Sequence, residues 1–161
     1  MRAIRIASIC LARFFLSAIF LASAIKKLFV WHDMEKLTMN ILFDWQTYLG
    51  FSSFAQEFFA ALVSWTPLLL IVATLLELIG GLLLLTGIKE KLGACLLLVL
   101  LVVTTVLAHP FWFIEGSARE LQQVIFLKNL SILGGLILVL LHGAKSPAKE
   151  SGGFGGSIKF S

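Results

Sequence analysis

Residues 68–88 read LLLIVATLLELIGGLLLLTGI, and Glu77 is the single charge among these twenty-one positions. A helix of this length is about 31 Å long at 1.5 Å per residue, which matches the hydrocarbon thickness of a bilayer. Glu77 then lies near mid-depth. A lone carboxylate there costs roughly 2.5 to 3.5 kcal/mol on insertion scales. It must be protonated, face water, or find a partner on another helix. Helical spacing puts Gly80 and Gly81 on the face of Glu77. Small residues there admit a second backbone, so this face is expected to turn to partner helices and the leucines to lipid.

The rest of the chain fits that reading. It has 161 residues, 59% hydrophobic and only 14% charged, far from a soluble domain's balance. Three more apolar stretches are expected to span, giving an all-α, integral membrane four-helix bundle over residues 1–144. The expected spans are about 11–31, 67–88, 92–109 and 124–142. Residues 145–161 are polar and glycine-rich and read as a disordered tail. The net charge of +4 carries no basic stripe interleaved with aromatics, which argues against nucleic acid as a partner.

The first stretch has two readings. Arg2, Arg5 and Arg13, a short apolar run and Ala22-Ser23-Ala24 resemble a signal peptide with its cleavage site. A retained helix is the preferred reading, because Leu28-Phe29-Val30-Trp31 carries the apolar character past Lys26 and Lys27. Between spans one and two, Met34, Leu37, Ile41, Leu42, Trp45 and Leu49 follow helical spacing among charged residues. That predicts an amphipathic helix lying on the membrane surface, ended by Gly50-Phe51-Ser52-Ser53. Thr66 is the expected cap of span two, with Pro67 in its first turn. Residues 89–91 are a tight turn, and residues 115–123 are expected to be loop. Ala18 with Ala22, Gly80 with Gly81, and Ser131 with Gly135 are the candidate helix-packing residues.

Basic residues set the orientation. With the N-terminus inside, eight lysines and arginines fall on the inner side and five on the outer. Both termini are therefore expected in the cytoplasm, with the chain in the cell (inner) membrane. In that topology Lys27, Glu77, His109, Lys128 and Asn129 gather toward the outer half and could line one polar pocket, with Lys27 paired to Glu77. At the expected helix ends Lys27 and Glu77 differ in height by about 7 Å, which the lysine stem must cover. Cys10 and Cys95 form no CxxC, no metal-ligand spacing is present, and no Ser/His/Asp set or phosphate loop stands out. The residues predict no autonomous catalyst, at most a subunit of a membrane oxidoreductase.

Several short pieces together resemble the DoxX family of small four-helix membrane proteins. They are Arg13-Phe14-Phe15 and Ser23-Ala24-Ile25-Lys26-Lys27-Leu28 in span one, and Leu76-Glu77-Leu78-Ile79-Gly80-Gly81 in span two. His109-Pro110-Phe111-Trp112 follows span three, and Phe126-Leu127-Lys128-Asn129-Leu130 with Gly134-Gly135-Leu136 lies in span four. The small pair before the family's first-span lysine is Ser-Gly, here Ser23-Ala24, and the connection after span one looks longer than in the family. The resemblance implies association with quinone-linked or thiol redox systems, with quinone as the candidate cofactor. Three functions are carried forward. The first is an accessory redox subunit with a polar pocket. The second is a non-enzymatic scaffold or assembly factor for other membrane proteins. The third is a small-solute transporter acting as an oligomer, with a homodimer as its minimum.

Overall fold

The computed structural model describes residues 2–143, so the tail expected to be disordered lies outside the described residues. The described chain is all-helical. Its elements are α1 (Arg2–Phe29), α2 (Trp31–Tyr48), α3 (Ser53–Ser64), α4 (Thr66–Thr86), α5 (Glu90–Ala108), a 3₁₀ turn (Phe111–Phe113) and α6 (Ser117–His142). Four stretches are long and apolar enough to cross a membrane: Ile6–Phe29, Thr66–Thr86, Glu90–Phe113 and Ser117–His142.

The four long helices pack in the order α1, α4, α5, α6, and the ring is left open because α1 and α6 barely touch. Their shared core is Phe20 from α1, Leu84 from α4, Ala94, Leu97 and Leu101 from α5, and Leu136 from α6. Leucines, isoleucines and valines such as Ile71, Leu75, Val99 and Val103 point outward, as helices bathed in acyl chains require. Two buried hydroxyls answer to their own helices. Thr74 donates to the Leu70 carbonyl at 2.7 Å and Ser17 to the Phe14 carbonyl at 3.1 Å.

The closest helix contact is α4 on α5, and it depends on two glycines. A Cβ built on Gly80 would meet the Leu97 side chain at 2.7 Å. One built on Gly93 would meet the Gly80 carbonyl oxygen at 2.8 Å and the Leu84 amide nitrogen at 3.0 Å. Gly81 makes the matching contact with Leu21 of α1. The turn between α4 and α5 is closed by Gly87 at φ 73° and by Lys89 at φ 52°, both left-handed.

The other expected packing residues sit differently. Ala22 faces outward and Ala18 is half-buried, while the buried small residues of α1 are Ser17 and Ala24. The inward face of α1 follows Arg13, Ser17, Phe20, Ala24 and Lys27, and its two cations decide which side turns in. Ser131 is exposed and Gly135 only half-buried, so this pair lines an opening rather than a tight helix contact.

Helices α2 and α3 form a hairpin at the end of the bundle away from the α4–α5 turn. The predicted apolar face of α2 is real, but it turns to protein. Leu42 and Trp45 bury against Phe59, with Leu107 of α5 packed beside them. The Trp45 indole N–H donates to the Leu107 carbonyl at 2.8 Å. Its ring stacks on Phe59 at 5.8 Å and meets Phe113 edge-on at 5.6 Å. Tyr48 stacks on Phe113 at 4.6 Å, which ties the hairpin to the segment after α5. Trp45→Phe keeps most of the ring but orphans the Leu107 carbonyl. It is expected to cost about 1–3 kcal/mol in thermal or denaturant unfolding.

Three boundaries differ from the sequence expectation. Thr66 begins α4 but does not cap it: its hydroxyl donates back to the Val63 carbonyl of α3 at 2.8 Å, joining the two helices. α1 starts at Arg2 and ends at Phe29, well N-terminal of the expected 11–31 span. α6 begins at Ser117, because Ala118, Glu120, Leu121 and Gln122 are good helix formers despite their polarity.

Candidate functional site

The inward face of α1 carries a cation at each end, and α4 and the first residue of α5 supply an acid for each. Lys27 and Arg13 are fourteen residues apart, about 21 Å along a helix. Their partners Glu77 and Glu90 are thirteen residues apart. Arg13 pairs with Glu90 beside the α4–α5 turn. Lys27 pairs with Glu77, Nζ to Oε1 at 2.5 Å. Two ion pairs thus fix the register of α1 on α4 and the start of α5, with Phe20 and Ala24 buried between them along α1.

The upper pair is the more deeply placed. Glu77 is 6% exposed and lies eleven residues from the start of α4 and nine from its end. Its Oε1 accepts from Lys27 and also from the Ser23 hydroxyl at 3.2 Å, and Lys27 in turn lies 3.3 Å from the Ser23 oxygen. Its Oε2 is buried with no hydrogen bond among the described residues. The carboxylate is held through one oxygen, Oε1.

The height mismatch expected between Lys27 and Glu77 disappears for a structural reason. α1 breaks at Val30 (φ −121°, ψ 44°), three residues past Lys27, and the chain turns into α2 there. Lys27 is therefore at the end of its helix and level with the middle of α4. The outer part of the bundle beside it is filled by α2, which packs on both α4 and α5.

The remaining expected pocket residues make no hydrogen bond or ion pair with Lys27 or Glu77 among the described residues. His109 closes α5 and its Nδ1 is 2.6 Å from the Gln122 side-chain oxygen of α6. Asn129 is half-buried on α6. Lys128 lies on the open seam between α1 and α6, in a groove of about 620 Å³ that also takes Ser131 and Gly135. The extension of α6 back to Ser117 puts Lys128 eleven residues inside the helix rather than at its entrance. Sequence reasoning missed three contributors: Ser23 as a ligand to Glu77, Glu90 as the partner of Arg13, and Gly93. Serine at one helical turn before Lys27 was the available signal for the first. Among the described residues no group of three His, Cys, Asp or Glu could hold a metal ion, and Cys10 and Cys95 are free and exposed.

The DoxX family model matches residues 8–110, which take in α1 to α5 with both ion pairs and stop short of α6. The chain is 33% identical over 69 residues to the "ER-derived vesicles protein ERV29" of Saccharomyces cerevisiae, covering 43% of this chain and 22% of that protein. It is 29% identical over 104 residues to the "Inner membrane protein YphA" of Escherichia coli, covering 64% of this chain and 74% of that one. The first of these matches therefore spans only about a fifth of its relative's length. No solved structure matches. With a paired lysine and glutamate inside a four-span bundle, and a match across five of its six helices, the chain belongs to the DoxX family.

Proposed function

We propose that this chain is an accessory subunit that works by associating with another membrane protein. The observation that carries this reading is how its charges are used. The acid and base of spans one and two are spent on each other, holding α1 to α4. The seam between α1 and α6 is open and carries a lysine with no such mate among the described residues. A bundle built this way offers a side to neighbours rather than a polar chamber to a substrate.

The setting proposed for that association is a quinone-linked or thiol redox system in the cell inner membrane, with both termini cytoplasmic. The family resemblance supports the redox setting, and the Escherichia coli relative's description as an inner membrane protein supports the location. The excess of basic residues on one side supports the orientation.

The test is extraction from native membranes at native expression into polymer-bounded nanodiscs, followed by mass analysis. A second membrane protein in fixed ratio to this chain is the expected result, with quinone retained or a quinone-dependent rise in thermal stability if the setting is redox. A chain recovered alone at monomer mass, even after crosslinking in intact cells, would overturn the accessory reading.

A further inference from the structure

We infer that α3 lies lengthwise in the headgroup–acyl boundary of the bilayer, with Phe54, Phe58, Ala61 and Trp65 among the acyl chains and Gln56, Ala60 and Ser64 toward water. This does not depend on the accessory-subunit reading. It gives α3 the membrane-surface role that helical spacing assigned to α2.

The first support is that α3 has three faces, set roughly a third of a turn apart by the helical repeat. Ala55, Phe59 and Leu62 turn to the protein, where Phe59 is buried on Trp45 and Leu62 packs beside it. Gln56, Ala60 and Ser64 form an exposed face, and the Gln56 amide donates to the Gly50 carbonyl at 2.9 Å. Phe54, Phe58 and Ala61 form the third face, and Trp65 continues their spacing just past the helix. Phe54 is 78% exposed, Phe58 50% and Trp65 59%. Leaving three large rings in water is unfavourable, whereas such rings are what an interfacial helix buries in the acyl boundary.

The second support is where α3 lies. It has 12 residues, about 18 Å of helix, and is too short to cross. One residue, Trp65, separates it from α4, whose 21 residues already match the bilayer. Phe59 stands six residues before α4 begins. It still stacks on Trp45, whose indole bonds the Leu107 carbonyl one residue from the end of α5. α3 therefore runs across the ends of the spans rather than away from them.

The third is continuity with the lipid-facing surface. Leu68, Val72, Leu75 and Ile79 of α4 are exposed and, in a spanning helix, meet acyl chains. Phe54, Phe58, Ala61 and Trp65 precede them in one unbroken alternation of four- and three-residue steps. The apolar face of α3 is thus the beginning of the lipid-facing stripe of α4, bent at Trp65 where the backbone leaves helical geometry (φ −96°, ψ 6°). α3 carries one charge, Glu57, and no cation, so the acyl boundary holds it and not the charge of a headgroup.

The experiment uses the full chain carrying Cys10→Ser and Cys95→Ser, both sites being exposed, in phosphatidylcholine vesicles. Single cysteines introduced along α3 take a nitroxide. Its collisions with oxygen and with a water-soluble nickel chelate read depth. Labels at Phe54→Cys, Phe58→Cys and Ala61→Cys should favour oxygen and lie about 5–10 Å below the lipid phosphates. Labels at Gln56→Cys, Ala60→Cys and Ser64→Cys should favour nickel. Adding phosphatidylglycerol should leave these depths unchanged. Ala61→Cys removes no ring, so a poorly packed phenylalanine variant does not stall the test. Nickel preference at all three apolar sites would overturn the inference, since α3 would then stand in water. So would shielding from both reagents, which a second copy or another protein on this face would give. Insertion seen only with phosphatidylglycerol would overturn it too, because headgroup charge would then set the depth.

Discussion

Lys27→Met is expected to destabilise the bundle by about 3–5 kcal/mol, the cost of leaving one member of a buried ion pair without its mate. Glu77 is 6% exposed, and losing Lys27 would leave only the Ser23 hydroxyl on its carboxylate. The informative comparison is the double variant Lys27→Met with Glu77→Leu. Replacing both members of a buried pair by apolar groups of similar size is often neutral or stabilising, so the double variant should recover most of the loss. Glu77→Gln alone should fall between these, since the amide still accepts from Ser23 but leaves the ammonium uncompensated. Reversible unfolding in bicelles or mixed micelles reads all four corners of the cycle.

The second large effect is expected at Gly93. An added methyl would stand 2.8 Å from the Gly80 carbonyl oxygen and 3.0 Å from the Leu84 amide nitrogen. Both are backbone atoms of α4, which cannot swing aside as a side chain does, so α4 and α5 must move apart and loosen the core around Leu84 and Leu97. Gly93→Ala should cost about 1–3 kcal/mol, and Gly93→Leu more. Gly80→Ala should be milder, because the nearest atoms there are the flexible end of Leu97. Gly134→Ala is the control. Nothing lies within 4 Å of its added methyl, and the gain in helix propensity should make it neutral or stabilising by at most about 1 kcal/mol. If Gly93 and Gly134 respond alike, close backbone approach is not what holds α4 to α5.

The parts of this fold that were legible in the sequence share one property: they depend on the bilayer rather than on neighbours. Four apolar runs of the right length announce four spans, and a single acid in the most apolar of them demands a base. Lys27 was identifiable as that base because cations are so few. Its height was not, because Trp31 reads as an interfacial anchor and pulls the expected helix outward, whereas the break at Val30 leaves the outer space to α2. The same outward reading hid Glu90, which looks like one member of a charged turn until Arg13 is placed beside it. Gly93 was readable in principle. It and Gly80 lie nearly equidistant from the turn at Gly87, and residues so placed face each other in an antiparallel hairpin.

Lys128 shows the opposite failure. Hydropathy locates the apolar middle of α6 but not the polar turns that precede it, so residues 117–123 read as loop and Lys128 as an entrance residue. Among the described residues no hydrogen bond or ion pair joins Lys128 to Lys27 or Glu77, and two features stand side by side. One is a closed pair that holds α1 to α4. The other is an open seam with a cation in it.

The account turns on Lys27 and Glu77 touching within the bilayer. Dipolar recoupling between ¹⁵N-labelled Lys27 Nζ and the ¹³C-labelled Glu77 carboxyl, in full-length protein reconstituted in lipid, measures that contact directly. Strong dephasing at contact distance, lost in a Ser23-retaining Lys27→Met control, is the predicted result. No dephasing, with a Glu77 carboxyl resonance unaffected by removal of the Lys27 ammonium, would contradict it.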